Sequence, residues 1–303
     1  MTWEMRLIFT YFTVCNYRSE LSTHSMRYSN NSNPAFTDEE IMTIYLFSTT
    51  DELKLHTNKQ VYIYADRHLR TWFPQLPNYE AFNGRLNNLS SCFKLLAEQL
   101  SPLIYQEKPA FQAETLELIV DSLPIMLAKN QRARVAKVAP EIANLGYCAT
   151  KSIWYFGLKV HAASLMAADK KLPSLYCCAL TAASEHDNTA FKDNIAPNCE
   201  NCKVYADSAY CDKATAPELF ELYGVTVCPI EKRKKGQKAL FYDQTCQNTA
   251  ISRVRQPIEG YFNWLIEHTD IQNASKCRSL KGVLTHIYAK IAASLMFLLI
   301  FNS

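Results

Sequence analysis

The chain of 303 residues lacks features typical of exported and membrane-spanning proteins. Its start contains a short apolar stretch, but Glu4 and the absence of a clear small-residue cleavage site argue against export. The strongly apolar segment at residues 291–301 has only eleven residues, whereas a transmembrane helix needs about 20. We therefore expect a cytoplasmic protein without a membrane partner, in which this segment forms a terminal helix packed into the core.

Paired metal ligands are also scarce. Among eleven scattered cysteines, Cys199 and Cys202 form the one CxxC pair, with Cys211 as the only nearby third ligand. No second CxxC and no HxxxH accompanies them, so a structural zinc site is the weaker interpretation. An odd number of cysteines without an export signal favours free thiols in a reducing cytoplasm.

Net charge is low, at +3, but it is distributed unevenly. Residues 231–290 contain eleven Lys and Arg against five Asp and Glu, a local balance of +6 that leaves −3 for the rest of the chain. The densest cluster, residues 232–238, is too polar for a core element and is called the basic loop below. We expect it to be either ordinary solvated surface or a contact for DNA phosphates, made by Lys232, Arg233, Lys234 and Lys235.

The first part of the chain is predicted to be a small all-helical domain. A capping box at residues 37–40 opens one helix, and apolar spacings of three and four over residues 79–96 indicate another. A third candidate helix lies between them. Three short helices that carry Arg67, Arg70 and Arg85 fit either a helix-turn-helix-like module that reads DNA or a helical support domain.

Farther along the chain, strands and helices alternate, and 48% hydrophobic content is enough to bury a substantial core. Three successive strands suggest an antiparallel meander, and the later strand–helix–strand pattern suggests parallel pairing. The predicted fold class is therefore α/β, with a mixed sheet flanked by helices on both faces. The predicted strands lie near residues 116–121, 152–162, 174–182, 203–207 and 225–229, and the predicted helices lie near residues 187–195, 214–223 and 256–268.

Three carboxylates stand where a two-metal site would need them. Asp121 ends an apolar strand that Pro124 is expected to stop, and Asp207 ends a similar apolar run. Glu259 follows Pro257, which suits the first turn of a helix. A buried carboxylate is costly unless it is paired or holds a cation, and carboxylates so placed can hold two Mg²⁺ ions roughly 3.5–4 Å apart. Either Asp alone is more often a turn former or a helix cap.

The order of elements, the Asp-Asp-Glu set and the segment at residues 255–295 resemble the transposases of bacterial insertion sequences that carry a DDE catalytic domain. The insertion sequence 982 family is the most similar subgroup, and the resemblance covers roughly residues 78–300. It implies an RNase H-like mixed sheet flanked by helices in a catalytic domain at residues 106–303. A small all-helical DNA-binding domain at residues 1–105 would precede it.

The same resemblance implies roles for individual residues. Asp121, Asp207 and Glu259 would be the catalytic residues and the ligands of two Mg²⁺ ions, for which Mn²⁺ can substitute. A GxKxH-like motif on the second strand falls on Lys159 and His161, which would lie along the DNA.

The resemblance also implies roles for Arg255 and Asp187, each with an exception or an alternative. Arg255 stands four residues before Glu259, as in a Tyr-Arg-Glu-Lys signature of some relatives, and would contact DNA. Ser252 and Ile266 replace the Tyr and the Lys of that signature, so the phosphate clamp of those relatives does not carry over. Asp187 is expected to cap a helix, and a contribution to the metal environment is the alternative that the resemblance implies.

The function implied is a transposase that cleaves the ends of an insertion sequence and transfers the strands to target DNA. Its partners would be double-stranded DNA, both terminal inverted repeats and target, and further copies of the chain in a homo-oligomer on DNA. It would act in the bacterial cytoplasm, associated with the nucleoid. Two alternatives stay open, namely an RNase H-like nuclease or resolvase without strand transfer, and a catalytically inactive DNA-binding protein derived from a transposase.

Overall fold

The chain divides into two compact units. The helical unit comprises residues 1–100 and 265–303, and the sheet unit comprises residues 101–264. The computed structural model describes residues 1–25, 34–50, 54–106, 110–166, 172–210, 215–233 and 235–302. Lys234 and Cys211 lie outside these ranges, so the predictions made for them are not addressed by the structure.

Short helices with defined N-caps build the helical unit. The predicted capping box at residues 37–40 is confirmed, since the Thr37 N–H donates to Glu40 Oε2 at 2.6 Å and the Glu40 N–H donates to Thr37 Oγ1 at 3.3 Å. Thr57 and Gln60 form a second capping box. The helices are α1 (Trp3–Asn16), α2 (Arg18–His24), α3 (Asp38–Thr50), α4 (Asn58–His68), α5 (Tyr79–Asn87), α6 (Ser90–Tyr105), which continues into the sheet unit, and α10 (Leu280–Asn302).

The C-terminal helix α10 packs in the helical unit, against α3 and α5. The sequence placed residues 106–303 in one catalytic domain, whereas residues 265–303 group with the N-terminal helices. A 22-residue stretch of α10, Leu280–Phe301, is long and apolar enough to cross a bilayer, but 72% of its most apolar window is buried within the protein. A helix that is apolar nearly all round needs neighbours on every side, and the surrounding helices supply them.

A six-stranded mixed sheet forms the centre of the sheet unit, as the alternating pattern predicted. Strand β1 pairs antiparallel with β3 and parallel with β5, and β5 pairs parallel with β6. Strands β2 and β4 lie end to end along the other edge of β3. The elements are β1 (Leu116–Lys129), β2 (Asn144–Cys148), β3 (Ile153–Leu165), β4 (Ser174–Ala182), α7 (Asp187–Ala190), β5 (Cys202–Ala206), α8 (Ala216–Tyr223), β6 (Thr226–Pro229) and α9 (Tyr242–Thr269), which continues into the helical unit.

Two prolines do not end elements where the sequence placed an end. Strand β1 runs through Pro124 to Lys129, because β5 pairs with β1 only at residues 116–119 and leaves the later part with a neighbour on one side. A missing N–H is tolerated on such an edge. Helix α9 begins at Tyr242, so Pro257 is inside it rather than in its first turn. The missed start signal is a side chain, since Gln244 Oε1 accepts the Phe241 N–H at 3.0 Å.

The apolar core of the sheet unit holds the residues that lead to both predicted aspartates. Val120 precedes Asp121 and Ala206 precedes Asp207, and both are fully buried in one cluster with Phe191. Asp121 therefore follows a buried segment in the middle of β1, and Asp207 directly follows the buried end of β5.

Candidate active site

The parallel pairing of β1 and β5 brings Asp121 and Asp207 together. Ile119 is in register with Tyr205, and each aspartate comes two residues later, Asp121 within β1 and Asp207 directly after β5. Residues that follow in step on adjacent parallel strands stay at the same level of the sheet. The Asp121 side chain is 24% exposed and the Asp207 side chain is 48% exposed, so both carboxylates lie at the rim of the core rather than deep inside it.

Arg255 of α9 bridges the two carboxylates. Its Nη2 is 3.3 Å from Asp121 Oδ2 and its Nη1 is 3.9 Å from Asp207 Oδ1. The residue is only 8% exposed, so its guanidinium faces the aspartates rather than an open groove. This differs from the predicted DNA contact, and the reason is that α9 starts early enough to carry Arg255 over the two strand ends.

The electrostatics of the pair favour a bound cation. Burial raises the pKa of Asp121 to about 6, the Ser122 N–H and Arg255 oppose that rise, and the carboxylates of Asp207 and Asp187 add to it. Carboxylates this close repel one another unless a positive charge lies between them. In this structure the guanidinium of Arg255 supplies that charge.

Lys159 and Asp187 form a partly buried ion pair beside this site. Lys159 Nζ donates to Asp187 Oδ1 at 2.9 Å and to the Glu185 carbonyl at 2.8 Å. Asp187 is the first residue of α7 and not its cap, because His186 Nδ1 accepts the Asn188 N–H. Lys159 therefore neutralises a carboxylate within the protein.

His161 is fully buried, which contradicts its predicted place along DNA. Its side chain has no exposed surface, and its Nε2 lies 2.8 Å from Thr181 Oγ1. Burial lowers the pKa of His161 to about 4, so the ring is neutral at pH 7. A neutral, enclosed imidazole offers a DNA phosphate neither charge nor contact. Residues 160–165 of β3 are buried without interruption, so position 161 is enclosed on this part of the strand.

Glu259 lies one helical turn beyond Arg255 on α9 and is exposed. Within the described ranges, no group of three or more His, Cys, Asp or Glu residues is arranged to hold a metal ion. The structure thus brings Asp121 and Asp207 together, and it does not show Glu259 with them. The carboxylate pair fits a hard divalent cation in its donor type, and the bridging guanidinium marks the place between the carboxylates where a positive charge is stable.

The basic loop connects β6 to α9. Lys232, Arg233 and Lys235 are exposed in the described part of this loop. At its end, the rings of Phe241 and Tyr242 are 71% and 82% exposed, and the sequence did not single them out. Two aromatic residues directly after a basic cluster were the available signal, because base stacking and phosphate contact often occur together.

The three arginines predicted for the helical unit have different environments. Arg67 is exposed on α4. Arg70 forms an ion pair with Asp66 at 2.7 Å and donates to the Leu76 carbonyl at 3.2 Å. Arg85 Nε donates to Asp38 Oδ1 at 2.7 Å, and its side chain is only 17% exposed. Two of the three therefore hold the helical unit together through internal partners.

Residues 112–296, more than half of the chain, match the family model of the transposase DDE domain. The chain belongs to the DDE transposase family. No curated protein and no solved structure matches it. The resemblance predicted from the sequence is confirmed at the level of this family. The transposase match contains Asp121, Asp207 and Glu259, and it continues past the sheet unit into α10.

Proposed function

We propose that this protein is the transposase of a bacterial insertion sequence, of the 982 family, that cleaves the ends of its element and joins them to target DNA. Family membership implies a DNA substrate and DNA cleavage. The observation that carries the proposal is the pair of aspartates, Asp121 and Asp207, held side by side by Arg255 inside the matched domain. Alternative recombination chemistry would require a nucleophilic hydroxyl side chain supported by basic residues.

We also assign an RNase H-like topology to the sheet unit. Apart from β2, the strand order is β4-β3-β1-β5-β6, with an antiparallel meander followed by two parallel strands. This arrangement supports the assignment, since it places the two aspartates on the adjacent parallel strands β1 and β5. The helical part of the chain up to about residue 105 would then bind DNA, and the sheet unit would cleave it.

In this proposal Asp121 and Asp207 hold the divalent metal, Mg²⁺ with Mn²⁺ as a substitute. When bound, two such ions activate the attacking oxygen and stabilise the leaving oxygen of an in-line displacement. The work of the chain is to keep the Asp121 carboxylate ionised and to hold it beside Asp207. Arg255 does this in the metal-free protein, because its positive charge opposes the rise in pKa that burial causes at Asp121. Water would attack first, and the released 3′-hydroxyl would then attack the target DNA.

The third carboxylate has two candidates. Glu259 is on the same helix as Arg255, one turn farther on, and it lies in the matched domain. Asp187 is near enough to Asp121 to raise its pKa, but Lys159 neutralises it at 2.9 Å. We favour Glu259, because a carboxylate without a buried ion pair can turn toward a metal at lower cost than one already paired.

For its partners we propose double-stranded DNA, both terminal inverted repeats and target. The basic loop, with Lys232, Arg233 and Lys235, would neutralise phosphates of any sequence. Because two ends must be cut and joined together, we propose a homo-oligomer that assembles on DNA. Its place of action would be the bacterial cytoplasm, on the nucleoid.

The test of function uses labelled duplexes from the DNA that flanks the gene, mixed with a target plasmid and Mg²⁺ or Mn²⁺. A transposase is expected to yield molecules in which an end is covalently joined to the plasmid. Cleaved ends without joined products would support a nuclease or resolvase instead. Specific binding without any cleavage would support an inactive DNA-binding protein.

A second experiment identifies the third carboxylate. Glu259→Gln is expected to abolish cleavage, whereas Glu267→Gln, an exposed carboxylate on the same helix, is expected to leave it unchanged. Normal cleavage by Glu259→Gln together with loss in Asp187→Asn would transfer the role to Asp187. Melting curves with and without Mg²⁺ separate a lost metal ligand from a misfolded variant. A variant that has only lost a ligand keeps the wild-type melting temperature without Mg²⁺ and lacks the rise that Mg²⁺ causes, whereas a misfolded variant already melts lower without Mg²⁺.

A further inference from the structure

The helical unit contains a polar cleft that is separate from the aspartate site. Its volume is about 590 Å³, which is within the range of pockets that hold small ligands. The walls are the first turns of α4 and α10, one face of α5 and the turn at residues 270–279. Every residue that lines it belongs to the helical unit.

Positive charge dominates this cleft. Lys59, Lys276 and Arg278 line it with exposed side chains, and Asp270 is the only carboxylate among its lining residues in the described part of the chain. Lys290 lies fully buried close by, with its Nζ 3.2 Å from the Asp270 carbonyl oxygen. A concave surface with this charge balance attracts anions, because low-dielectric walls concentrate the field.

Neutral donors complete the lining. Asn58, Asn83 and Asn87 present side-chain amides, and Asn58 Nδ2 donates to Asn83 Oδ1 at 2.9 Å, which fixes both amides. His286 Nε2 lies 2.9 Å from the Ile271 carbonyl, which can only accept, so the proton is on Nε2. Burial lowers the pKa of His286 well below its usual value, so the ring is a fixed neutral group.

Two helices begin at this cleft. Thr57 caps α4, and Ser279 Oγ accepts the Gly282 N–H at 3.2 Å at the start of α10. Helix starts expose N–H groups and carry partial positive charge, so they add to the attraction that the cationic side chains produce. The cleft therefore combines exposed cations, fixed amides and a favourable backbone field in one concave surface, with Arg278 Nη1 held by the Ser275 and Cys277 carbonyls at 2.9 and 3.2 Å.

We propose that this cleft binds a phosphate group of the DNA backbone and so gives the helical unit its own contact with the substrate. Phosphate is the ligand that matches Lys and Arg charge, amide donors and helix starts together. An apolar ligand would leave these polar groups without partners, which is costly. This assignment rests on the proposed function and deepens it, because it gives the DNA-binding role of the helical unit a specific site whose residues take no part in cleavage.

The test compares two charge-matched double variants of the full chain. Lys276→Gln with Arg278→Gln removes two cations from the cleft, and Arg18→Gln with Lys94→Gln removes two exposed cations elsewhere in the helical unit. The cleft variant is expected to bind duplex DNA at least about tenfold more weakly at low salt. Its salt dependence should flatten by up to about 0.9 per lost phosphate contact, whereas the control should match the wild type.

A second pair of variants keeps every cation of the cleft and adds one negative charge instead. Asn87→Asp places a carboxylate inside the cleft, and Asn88→Asp places one on the neighbouring exposed position outside it. Asn87→Asp should weaken DNA binding and Asn88→Asp should not. Equal losses in cleft variants and controls, or no loss in either at unchanged melting temperature, would overturn the proposal.

Competition distinguishes the source of the phosphate. Inorganic phosphate and a deoxynucleoside monophosphate are titrated against the full chain, and the amide signals of the helical unit are followed by NMR. DNA that shifts these signals in the wild type and not in Asn87→Asp would support the backbone assignment. A monophosphate that binds while the cleft variants retain full DNA affinity would overturn it. Failure of the wild type to cleave DNA would count only against the function proposed above.

Discussion

Among the residues that the structure describes, each unit of this transposase buries one cation, and the two cations have different partners. Arg255 in the sheet unit is 8% exposed and bridges the carboxylates of Asp121 and Asp207. Lys290 in the helical unit has no exposed surface, and its described hydrogen bond goes to the backbone carbonyl of Asp270. The first cation has two carboxylates beside it, whereas the second bonds to a backbone carbonyl and is attracted by the charge of Asp270 too weakly to offset its burial.

The difference decides whether burial of the cation is offset by neighbouring negative charge or lowers the stability of the folded protein. A buried charge with opposite charges around it keeps its ionised form, whereas a buried charge without them loses affinity for its proton. Burial accordingly lowers the pKa of Lys290 to about 8. At Asp121, burial raises the pKa to about 6, and Arg255 works against that rise.

The largest expected effect comes from removing a matched carboxylate. Asp121→Asn should reduce DNA cleavage by on the order of 10³-fold or more, a loss typical of deleting an essential catalytic group. DNA binding should persist, because one negative charge fewer near the phosphates does not weaken their attraction to the protein. The matched control is Glu117→Gln, a partly exposed carboxylate on the same strand that pairs with Lys203. Cleavage and binding by both variants are measured on the same duplex, and equal activity would remove Asp121 from the site.

Replacing Arg255, which bridges the two carboxylates, should lower the free energy of unfolding more in the absence of Mg²⁺ than in its presence. Arg255→Met leaves Asp121 and Asp207 facing each other without a counter-charge, and we expect a loss of about 2–4 kcal/mol in the free energy of unfolding. Mg²⁺ at millimolar concentration should restore part of that loss, since it replaces the missing charge. Arg253→Met, an exposed arginine on the same helix, is the control and should change stability by less than about 0.5 kcal/mol.

Urea unfolding of these variants in EDTA and in Mg²⁺ gives the comparison. If Arg255→Met were as stable as the wild type in EDTA, the guanidinium would not be needed to hold the carboxylates. If Mg²⁺ stabilised the wild type and the variant equally, the metal would bind away from the position that the guanidinium occupies.

Replacing Lys290, the buried cation of the helical unit, should raise the free energy of unfolding rather than lower it. Lys290→Met removes a buried charge and is expected to stabilise the protein at pH 7 by about 1–3 kcal/mol, after allowance for the lost bond to the Asp270 carbonyl. The folded pKa of Lys290 is about 8 and the unfolded value is 10.5, so below pH 8 both states carry the charge and the folded state bears its cost. Between pH 8 and 10.5 the folded state sheds that proton first, and the cost disappears.

The measurement is the free energy of unfolding against pH for the wild type and for Lys290→Met. The advantage of the variant should be largest below pH 8 and should shrink toward pH 10.5. Taking the difference between two otherwise identical chains cancels the titration of the tyrosines and cysteines in that range. Lys281→Met, on the exposed side of the same helix, should show no such trend. An advantage that stayed constant with pH would mean that packing, and not charge, is responsible.

The sequence predicted what depends on local pattern. The apolar runs before Asp121 and Asp207 located the central strands, and the capping box at residues 37–40 located a helix start. It did not predict that residues 265–303 pack with the N-terminal helices, because that depends on which surfaces meet across more than 200 residues of chain. Pro124 was expected to end a strand and Pro257 to lie in the first turn of a helix, but both lie inside their elements. A proline signal in the sequence does not show whether the surrounding structure tolerates the missing N–H.

The candidate site followed the same division. Two carboxylates could be chosen by their position after apolar strands, but the bridging role of Arg255 could not, because it depends on how α9 lies over the strand ends. His161 does not lie along an exposed surface. A GxKxH-like pattern shows residue types and not that both sides of β3 are buried at residues 160–165. The cleft in the helical unit is assembled from three separate segments, and no contiguous motif marks it.

The smallest expected effect concerns a surface interaction of the helical unit, which sharpens the contrast with both buried cations. Thr37→Ala removes the hydroxyl that accepts the Glu40 N–H at the start of α3, and we expect a loss of about 1 kcal/mol in the free energy of unfolding. Thr23→Ala is the control, because the Thr23 hydroxyl only donates back to the Glu20 carbonyl within α2. Cleavage per folded molecule should be the same in both variants and in the wild type, since neither residue belongs to the sheet unit. A loss of cleavage in Thr37→Ala beyond its loss of folded protein would show that the first turn of α3 influences the chemistry of the aspartate site, and the separation of roles between the two units would then have to be abandoned.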